Sequence, residues 1–358
     1  MVTAIIVNYF SSALCSRAAL SILTDQPDAQ VIVVDNSSNE NEFVALRKAL
    51  PVSVACLNAE QNLGFGRACN LAFEHAKYDW ILLLNPDAYV LNGCIAALVA
   101  FMHEQPQAGA VAPLVFWDRQ RTWLLPPAQL PTPARQLATA CARSWRPVAR
   151  FNSLGFRRQA VKLLRSEQAV AQEMLSGGHM LLRKAAITAA GGLFDRNIFM
   201  FYEDTDLCLR LRNNGYRLYL LPAALAVHEW CCRQTKNHLI KQSYNYYFQK
   251  HFSGSRLSLW AQKFGAWFPV AGNAYPDLGT FTQPPLLPVP QKIQKSWLLE
   301  LSPLETFIPA LYRFGHGPEA TLTEELWQRL DSGEYFFRLG EIGGKKLQSF
   351  RLQITESK

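Results

Sequence analysis

Residues 80–87 read Trp80-Ile81-Leu82-Leu83-Leu84-Asn85-Pro86-Asp87. Five apolar residues with no polar alternation describe a strand covered on both faces, as a parallel sheet between two helix layers requires. The strand exits into an amide, a rigid proline and a carboxylate. Ligands of open α/β sheets bind outside the carboxyl ends of the strands, so Asn85 and Asp87 stand where a site is expected. Asn-Pro-Asp is also ordinary turn chemistry, and alone the stretch reads as well that way.

The same alternation extends outward from it. Val2–Asn8, Gln30–Asp35, Val52–Leu57 and Ala110–Phe116 read as strands, and Ala13–Leu23, Gly66–Ala76 and Gly93–Met102 as helices. An α/β fold follows, with a mainly parallel central sheet flanked by helices. Farther on, Glu173–Arg183 and Arg217–Leu221 read as strands and Glu203–Asn214 as a helix.

Several polar residues fall at strand ends. Val31-Ile32-Val33-Val34-Asp35 delivers a carboxylate to the sheet edge, suited either to a pyrimidine imide or ribose hydroxyl, or to capping the helix that starts near Asn41. Asn62-Leu63-Gly64-Phe65-Gly66-Arg67-Ala68-Cys69-Asn70 opens a helix whose free amides suit a phosphate or base. It lacks the Gly-x-Gly-x-x-Gly fingerprint, and no P-loop occurs, which weakens the dinucleotide and P-loop readings.

In Tyr202-Glu203-Asp204-Thr205-Asp206, helical spacing puts Asp204 on the face of Leu207, Cys208 and Leu211. An inward carboxylate is costly unless used or paired, and here it suits a general base. Glu203 sits at the boundary of that face, and Asp206 faces Arg210 as a routine surface pair. His228 follows an apolar run after the last strand. A lone histidine is usually a satisfied one, but beside a divalent cation it is a common ligand. Gly177 and Gly178 in Ser176-Gly177-Gly178-His179 either lie under an acceptor or form a bend between strands.

The chain of 358 residues carries a net charge of +8, which invites an anionic partner without choosing nucleic acid, phosphate or membrane. No run of about 18 apolar residues occurs and the start lacks a signal-peptide pattern. The eight cysteines are scattered, with Cys231 and Cys232 read as ordinary buried thiols. A reducing, cytoplasmic setting is therefore expected. Between Asp118 and Glu167 there is no acid, while arginines interleave with Trp123, Trp145, Phe151 and Phe156. That composition suits contact with an anionic membrane, and equally a solvated helical face. The organisation expected is a catalytic domain at 1–271 with a basic insertion at about 118–167, a Pro/Gly-rich linker at 272–296, and a small α+β or β-rich module at 297–358.

Taken in order, IIVNYF, VVDNSS, NLGFGRACN, LLLNPDA, MLSGGHMLLRK, GGLFD, FMFYEDTDLCLRLRNNGYRL and AVHEW resemble the family 2 inverting glycosyltransferases of GT-A fold, notably the rhamnosyltransferase-like bacterial branch. The resemblance spans residues 1 to about 250 and implies a role for each motif. Asp35 contacts the nucleotide base, with Asn8, Asn62, Gly64, Asn70 and Asn85 around the nucleotide. Asp87 and His228 hold Mg²⁺ or Mn²⁺, and Asn85 replaces the first acid of the Asp-x-Asp element. Asp204 is the catalytic base, and Gly177, Gly178 and Glu203 line the acceptor. It implies a dTDP- or UDP-linked donor, with rhamnose slightly favoured, and a glycan or lipid-linked acceptor in cell-surface polysaccharide synthesis. An oligomer and a peripheral membrane position are compatible with it.

Two rival classes fit the residues less well. A sugar-nucleotide nucleotidyltransferase needs a Gly-rich basic loop after the first strand, where this chain has Asn8-Tyr9-Phe10-Ser11-Ser12. A nucleic-acid-binding protein would use the basic segment, but it leaves the carboxylates at strand ends without a purpose.

Overall fold

A computed structural model of the protein describes residues 1–229, 237–267, 275–344 and 347–355. Cys231 and Cys232 lie outside the described residues, as do 272–274 of the expected linker.

The first part of the chain runs β1 (Val2–Asn8), α1 (Ser12–Asp25), β2 (Gln30–Asp35), α2 (Glu40–Ala49), β3 (Ala55–Asn58), α3 (Phe65–Phe73), β4 (Trp80–Leu84), β5 (Ala88–Val90), α4 (Cys94–Glu104) and β6 (Ala108–Phe116). It continues with α5 (Pro133–Ser144), α6 (Arg146–Leu164), β7 (Val170–Gln172), β8 (His179–Arg183), α7 (Lys184–Ala189), α8 (Glu203–Asn213), β9 (Arg217–His228), α9 (Asn237–Phe252) and α10 (Arg256–Trp267). The strands form one sheet in the order β3-β2-β1-β4-β8-β6-β9-β5, with β7 also on β9. β1, β2, β3, β4, β6 and β9 share one direction, and β8, β7 and β5 oppose them.

The unbroken apolar runs are explained by the two cores. In β1, Val2, Ala4 and Ile6 face one buried cluster with α1 and α4, while Ile5 and Val7 face the other with α3, α7 and α8. Both faces are dry, and Thr3, the polar side chain inside the strand, is buried with its hydroxyl donated to Gln30 Oε1 at 2.8 Å, while Asn8 stands at the carboxyl end.

The rest of the chain gives β10 (Asp277–Phe281), β11 (Leu287–Pro288), β12 (Trp297–Ser302), β13 (Leu311–Gly315), β14 (Glu319–Ala320), α11 (Glu324–Trp327), β15 (Gly333–Glu341) and β16 (Leu347–Ile354). A second sheet runs β10-β16-β15-β12-β13, and β11 pairs with β14. The Pro/Gly-rich stretch thus contributes β10 to this sheet. The module is joined to the first sheet by Leu124, which bridges both Phe116 and Tyr312. Trp117 and Trp123 lie in its core beside Trp297, Leu299 and Phe337.

Candidate active site

The site begins with an irregularity in β9. Opposite Pro113 and Leu114 of β6 stand Leu221 and Leu225, so Pro222, Ala223 and Ala224 form an extra loop of strand. Proline cannot donate to a ladder and is tolerated at such bulges. The strand then resumes, and its last residues pair antiparallel with β5, His228 opposite Ala88. The expectation that β9 stops at Leu221, with His228 beyond it, is corrected: His228 is the strand's final residue. This register sets the imidazole beside the exit of β4. His228 Nε2 lies 3.2 Å from Asp87 Oδ1 and 3.4 Å from Asn85 Nδ2. Burial opposes ionisation of Asp87, but the hydrogen bond and charge of His228 outweigh it, and the carboxyl is held below its ordinary range.

A glycine turn connects this edge to the opposite wall. β8 begins at His179, paired with Leu84, and Gly178 accepts the Asn85 N–H at 2.9 Å. Any side chain at Gly178 would collide, since a Cβ there would stand 2.8 Å from Asn85 Nδ2 and 2.9 Å from His228 Cε1. One residue earlier, Gly177 donates its N–H to Asp204 Oδ2 at 3.0 Å. The strand expected over Glu173–Arg183 is therefore split. β7 ends at Gln172, and residues 173–178 make the turn that carries these contacts.

Asp204 opens α8 half-buried, and its other oxygen accepts the Thr205 N–H at 2.7 Å. The backbone just before it is strained, with Phe201 at φ 65° and Tyr202 at φ 67°, two consecutive left-handed residues without a glycine. Packing of the Tyr202 ring on Tyr244 and Tyr247 of α9 holds that conformation. Burial raises the Asp204 pKa against the hydrogen bonds from Gly177 and Thr205. Glu203 is more buried than a boundary position implies, and its Oε2 has no hydrogen-bond partner. Burial, with Asp204 alongside, pushes its pKa up to about 8.

Asp206 corrects a second expectation. It is fully buried, not a surface residue, and its oxygens meet Arg210 at 2.7 Å, Lys250 at 2.6 Å and His251 at 2.7 Å. Arg210 in turn donates to the carbonyls of Ala190, Gly192 and Leu193. Lys250 and His251 belong to α9, so this cluster bolts α9 onto the first turn of α8. Nothing in the local spacing announces partners some forty residues away.

At the other end of the site, Asp35 is buried and accepts from Asn8 Nδ2 and Ser37 Oγ, each at 2.8 Å. It does not cap α2, whose cap is Asn39. Asn8 is fully buried, and its amide also reaches Glu42 at 3.0 Å, so it braces Asp35 from below. Asn62 Oδ1 accepts from Asn36 and from the Gly64 N–H, which shapes the turn into α3. Asn70 exchanges two hydrogen bonds with the Phe194 backbone, a clamp that occupies both ends of its amide. Gly64 sits at φ 77°, and a Cβ there would overlap the Phe199 carbonyl oxygen. Its place is where the segment leading to Asp204 touches the start of α3.

Arg17 is a site residue that the sequence pattern does not single out. It stacks over Tyr89 at 4.9 Å, pairs with Glu229 at 2.8 Å and acts on the charge of Asp87. Its one available signal is a basic residue early in the helix after β1. His179, whose ring centre is 5.4 Å from that of His228, has a buried Nδ1 without a partner. Burial and the neighbouring His228 lower its pKa to about 3, so it is a neutral wall of the site.

The basic segment divides. Trp123, Phe156 and Arg157 are buried, and Arg157 pairs with Glu300 of β12 at 2.8 Å, so these three are interior residues and take no part in a surface. Arg143, Arg150, Phe151, Arg158, Lys162 and Arg165 are exposed.

Comparison with known proteins identifies the family and the fold. The profile of glycosyl transferase family 2 matches residues 3–165. An N-acetylglucosaminyl-diphospho-decaprenol L-rhamnosyltransferase of Mycobacterium tuberculosis is 31% identical over 222 residues, 59% of this chain and 69% of that protein. The rhamnosyltransferase WbbL of Escherichia coli is 25% identical over 240 residues, 64% of this chain and 83% of that one. Among solved structures, a mannosyltransferase of Pyrobaculum calidifontis in complex with GDP-Man and Mn²⁺ superposes with a TM-score of 0.50 at 17% identity. The superposition covers 74% of this chain and 72% of the mannosyltransferase. The fold is the GT-A type.

Proposed function

The chain belongs to glycosyl transferase family 2 and is a glycosyltransferase, and from that premise we propose a single-displacement transfer from a dTDP- or UDP-linked sugar to a hydroxyl of a lipid-linked glycan. A rhamnosyl donor is favoured because the relatives are rhamnosyltransferases, and the M. tuberculosis protein's name specifies a lipid diphosphate acceptor. The observation that carries the reading is the Gly177-Gly178 turn. It bonds Asp204 on one side and packs on Asn85 and His228 on the other, so the base and the Asp87 edge flank a single two-residue turn.

Asp87 and His228 fit a divalent cation in donor chemistry, a carboxylate oxygen beside an imidazole nitrogen. Among the described residues no third His, Cys, Asp or Glu joins them, which suits Mg²⁺ or Mn²⁺ completed by phosphate oxygens and water. When bound, the cation neutralises charge developing on the leaving diphosphate.

The chain's own groups do the rest. The nucleotide lies across the ends of β1, β2 and β4, with Asp35 and Ser37 at the base. Gly64 lets the Phe199 carbonyl seat against the start of α3, which couples the turn on the donor side to the segment that leads to Asp204. Asp204 takes the proton of the acceptor hydroxyl as oxygen attacks the anomeric carbon from the face opposite the diphosphate, and its raised pKa strengthens it as a base. Glu203, holding its proton, leaves Asp204 the charged member of the pair.

Removing a charge-stabilising group of this kind costs about 10²–10³ in kcat. Asp87→Ala and Asp204→Asn are each expected to lose at least that, measured as transfer from dTDP-rhamnose or UDP-sugars. Turnover like the parent's in either variant removes its role. Sugar nucleotides that raise Tm with Mn²⁺, and less without it, identify the donor. The working position proposed is the inner face of the cell membrane, through the basic segment. Among the described residues no helix is long and apolar enough to cross a membrane.

A further inference from the structure

Charge in this protein is distributed unevenly. Residues 119–166 and 230–276 together hold sixteen of its thirty-six Lys and Arg and none of its twenty-eight Asp and Glu. The remainder of the chain is therefore net negative, although the whole carries +8. The two basic segments are far apart in sequence but meet in the fold, because α5 packs against both α6 and α10.

The outward faces of these helices have an unusual make-up. On α10, Ser258 and Ala261 are buried, and Arg256, Leu259, Trp260 and Lys263 form an exposed stripe at spacings of three, four and seven, with Leu257 and Gln262 exposed beside it. Trp260 is 60% exposed and Leu259 54%. On α6 the exposed side carries Arg150, Phe151, Arg158 and Lys162, with Phe151 77% exposed. Large apolar side chains left in water beside cations, on a surface with no carboxylate of its own, are what an anionic bilayer interface favours.

We propose that α10 and α6 form a docking face for an anionic lipid bilayer, with Leu259, Trp260 and Phe151 entering the headgroup layer and the flanking cations binding lipid phosphates. This rests on the lipid-linked acceptor read above, and it moves the contact from residues 119–166 alone to a surface in which α10 is a principal element. The layer also adjoins the base. Gln136 of α5 donates to the Tyr244 hydroxyl at 2.7 Å, and Tyr244 packs on Tyr202, two residues before Asp204. The helix layer that carries the face is thus linked, through Gln136 and Tyr244, to the residue two positions before Asp204.

The test is co-sedimentation of the full chain with vesicles of phosphatidylcholine, with and without phosphatidylglycerol. The parent protein partitions onto the mixed vesicles and little onto the neutral ones. Arg256→Glu with Lys263→Glu lowers that partition by at least about tenfold. Leu259→Ser with Trp260→Ser lowers it comparably, and Tm stays unchanged because all four side chains are exposed. Unaltered partition in both double variants overturns the proposal. So does loss of self-association in the Leu259/Trp260 variant with vesicle binding intact, which assigns the face to a second copy, or tight DNA or RNA binding in place of vesicle binding. Transfer to a water-soluble acceptor analogue, measured in parallel, is retained by both double variants. If the parent itself lacks transfer, the enzyme reading fails while the vesicle result stands.

Discussion

Three acids in four residues, Glu203, Asp204 and Asp206, have three different environments and three different protonation behaviours. Asp206 is desolvated yet held well below the ordinary carboxylate range, because His251, Arg210 and Lys250 favour its charged form more than burial opposes it. A depressed carboxyl pKa stabilises the fold at every pH above the unfolded value and loses that stabilisation as pH falls through the folded one. Stability of the parent should thus fall below about pH 4, while Asp206→Asn, already weaker by about 3–5 kcal/mol at neutral pH, loses less on acidification. Denaturant unfolding at pH 3 and pH 7 measures both. Glu203 has the opposite sign. Its folded pKa of about 8 lies above the unfolded value, so the fold is progressively weakened as pH rises from about 4 towards 8. Glu203→Gln keeps the shape and removes the charge, so its Tm advantage over the parent should grow across that window. A constant difference between pH 5 and pH 8 would show that Glu203 does not titrate there.

At the scale of elements, the site is assembled by where strands stop. β4 gives way to Asn85, β8 starts one residue past Gly178, and β9 runs past its bulge to end at His228, which brings three chain segments together at one sheet edge. Gly178→Ala inserts a methyl against both Asn85 and His228. Misplacement of about 1 Å in an active site costs up to about 10²-fold, so kcat should fall steeply with Tm little altered. Steady-state kinetics beside a melting curve separates the two effects. The strand ends at Asn8, Asp35 and Leu84 were legible because unbroken apolar runs have sharp edges. The end of β9 was not, since Pro222 is as good a strand terminator as a bulge former, and only pairing with β5 distinguishes them. β5 itself is too short to carry a period. Asp206 was misread for a related reason: an i+4 arginine explains it locally, and the partners that bury it come from α9.

At the scale of the whole molecule, the two sheets are not merely tethered. Glu300 is fully buried between Arg157 and Arg338, and Arg338 also donates to Ser153 of α6. Arg157 donates its remaining N–H groups to the carbonyls of Glu341 and Ile342. A satisfied buried cluster of this type costs about 3–5 kcal/mol when one partner is removed. Arg157→Ala and Glu300→Gln should each lower stability by that order, with turnover per folded molecule retained. Composition marked this arginine as part of a basic surface, since neither net charge nor spacing reveals an acid 143 positions later.

Leu124 and the two tryptophans that precede it, Trp117 and Trp123, have a practical consequence for anyone trimming the gene. The span that matches the family profile ends at residue 165, and a shortened chain stopped before β10 would keep Trp117, Trp123 and Arg157 but discard Trp297, Leu299 and Phe337 of the core they share and the Glu300 carboxylate. Such a fragment would present bare indole rings and an orphaned guanidinium to water, and would be recovered as inclusion bodies, whatever the integrity of its catalytic groups.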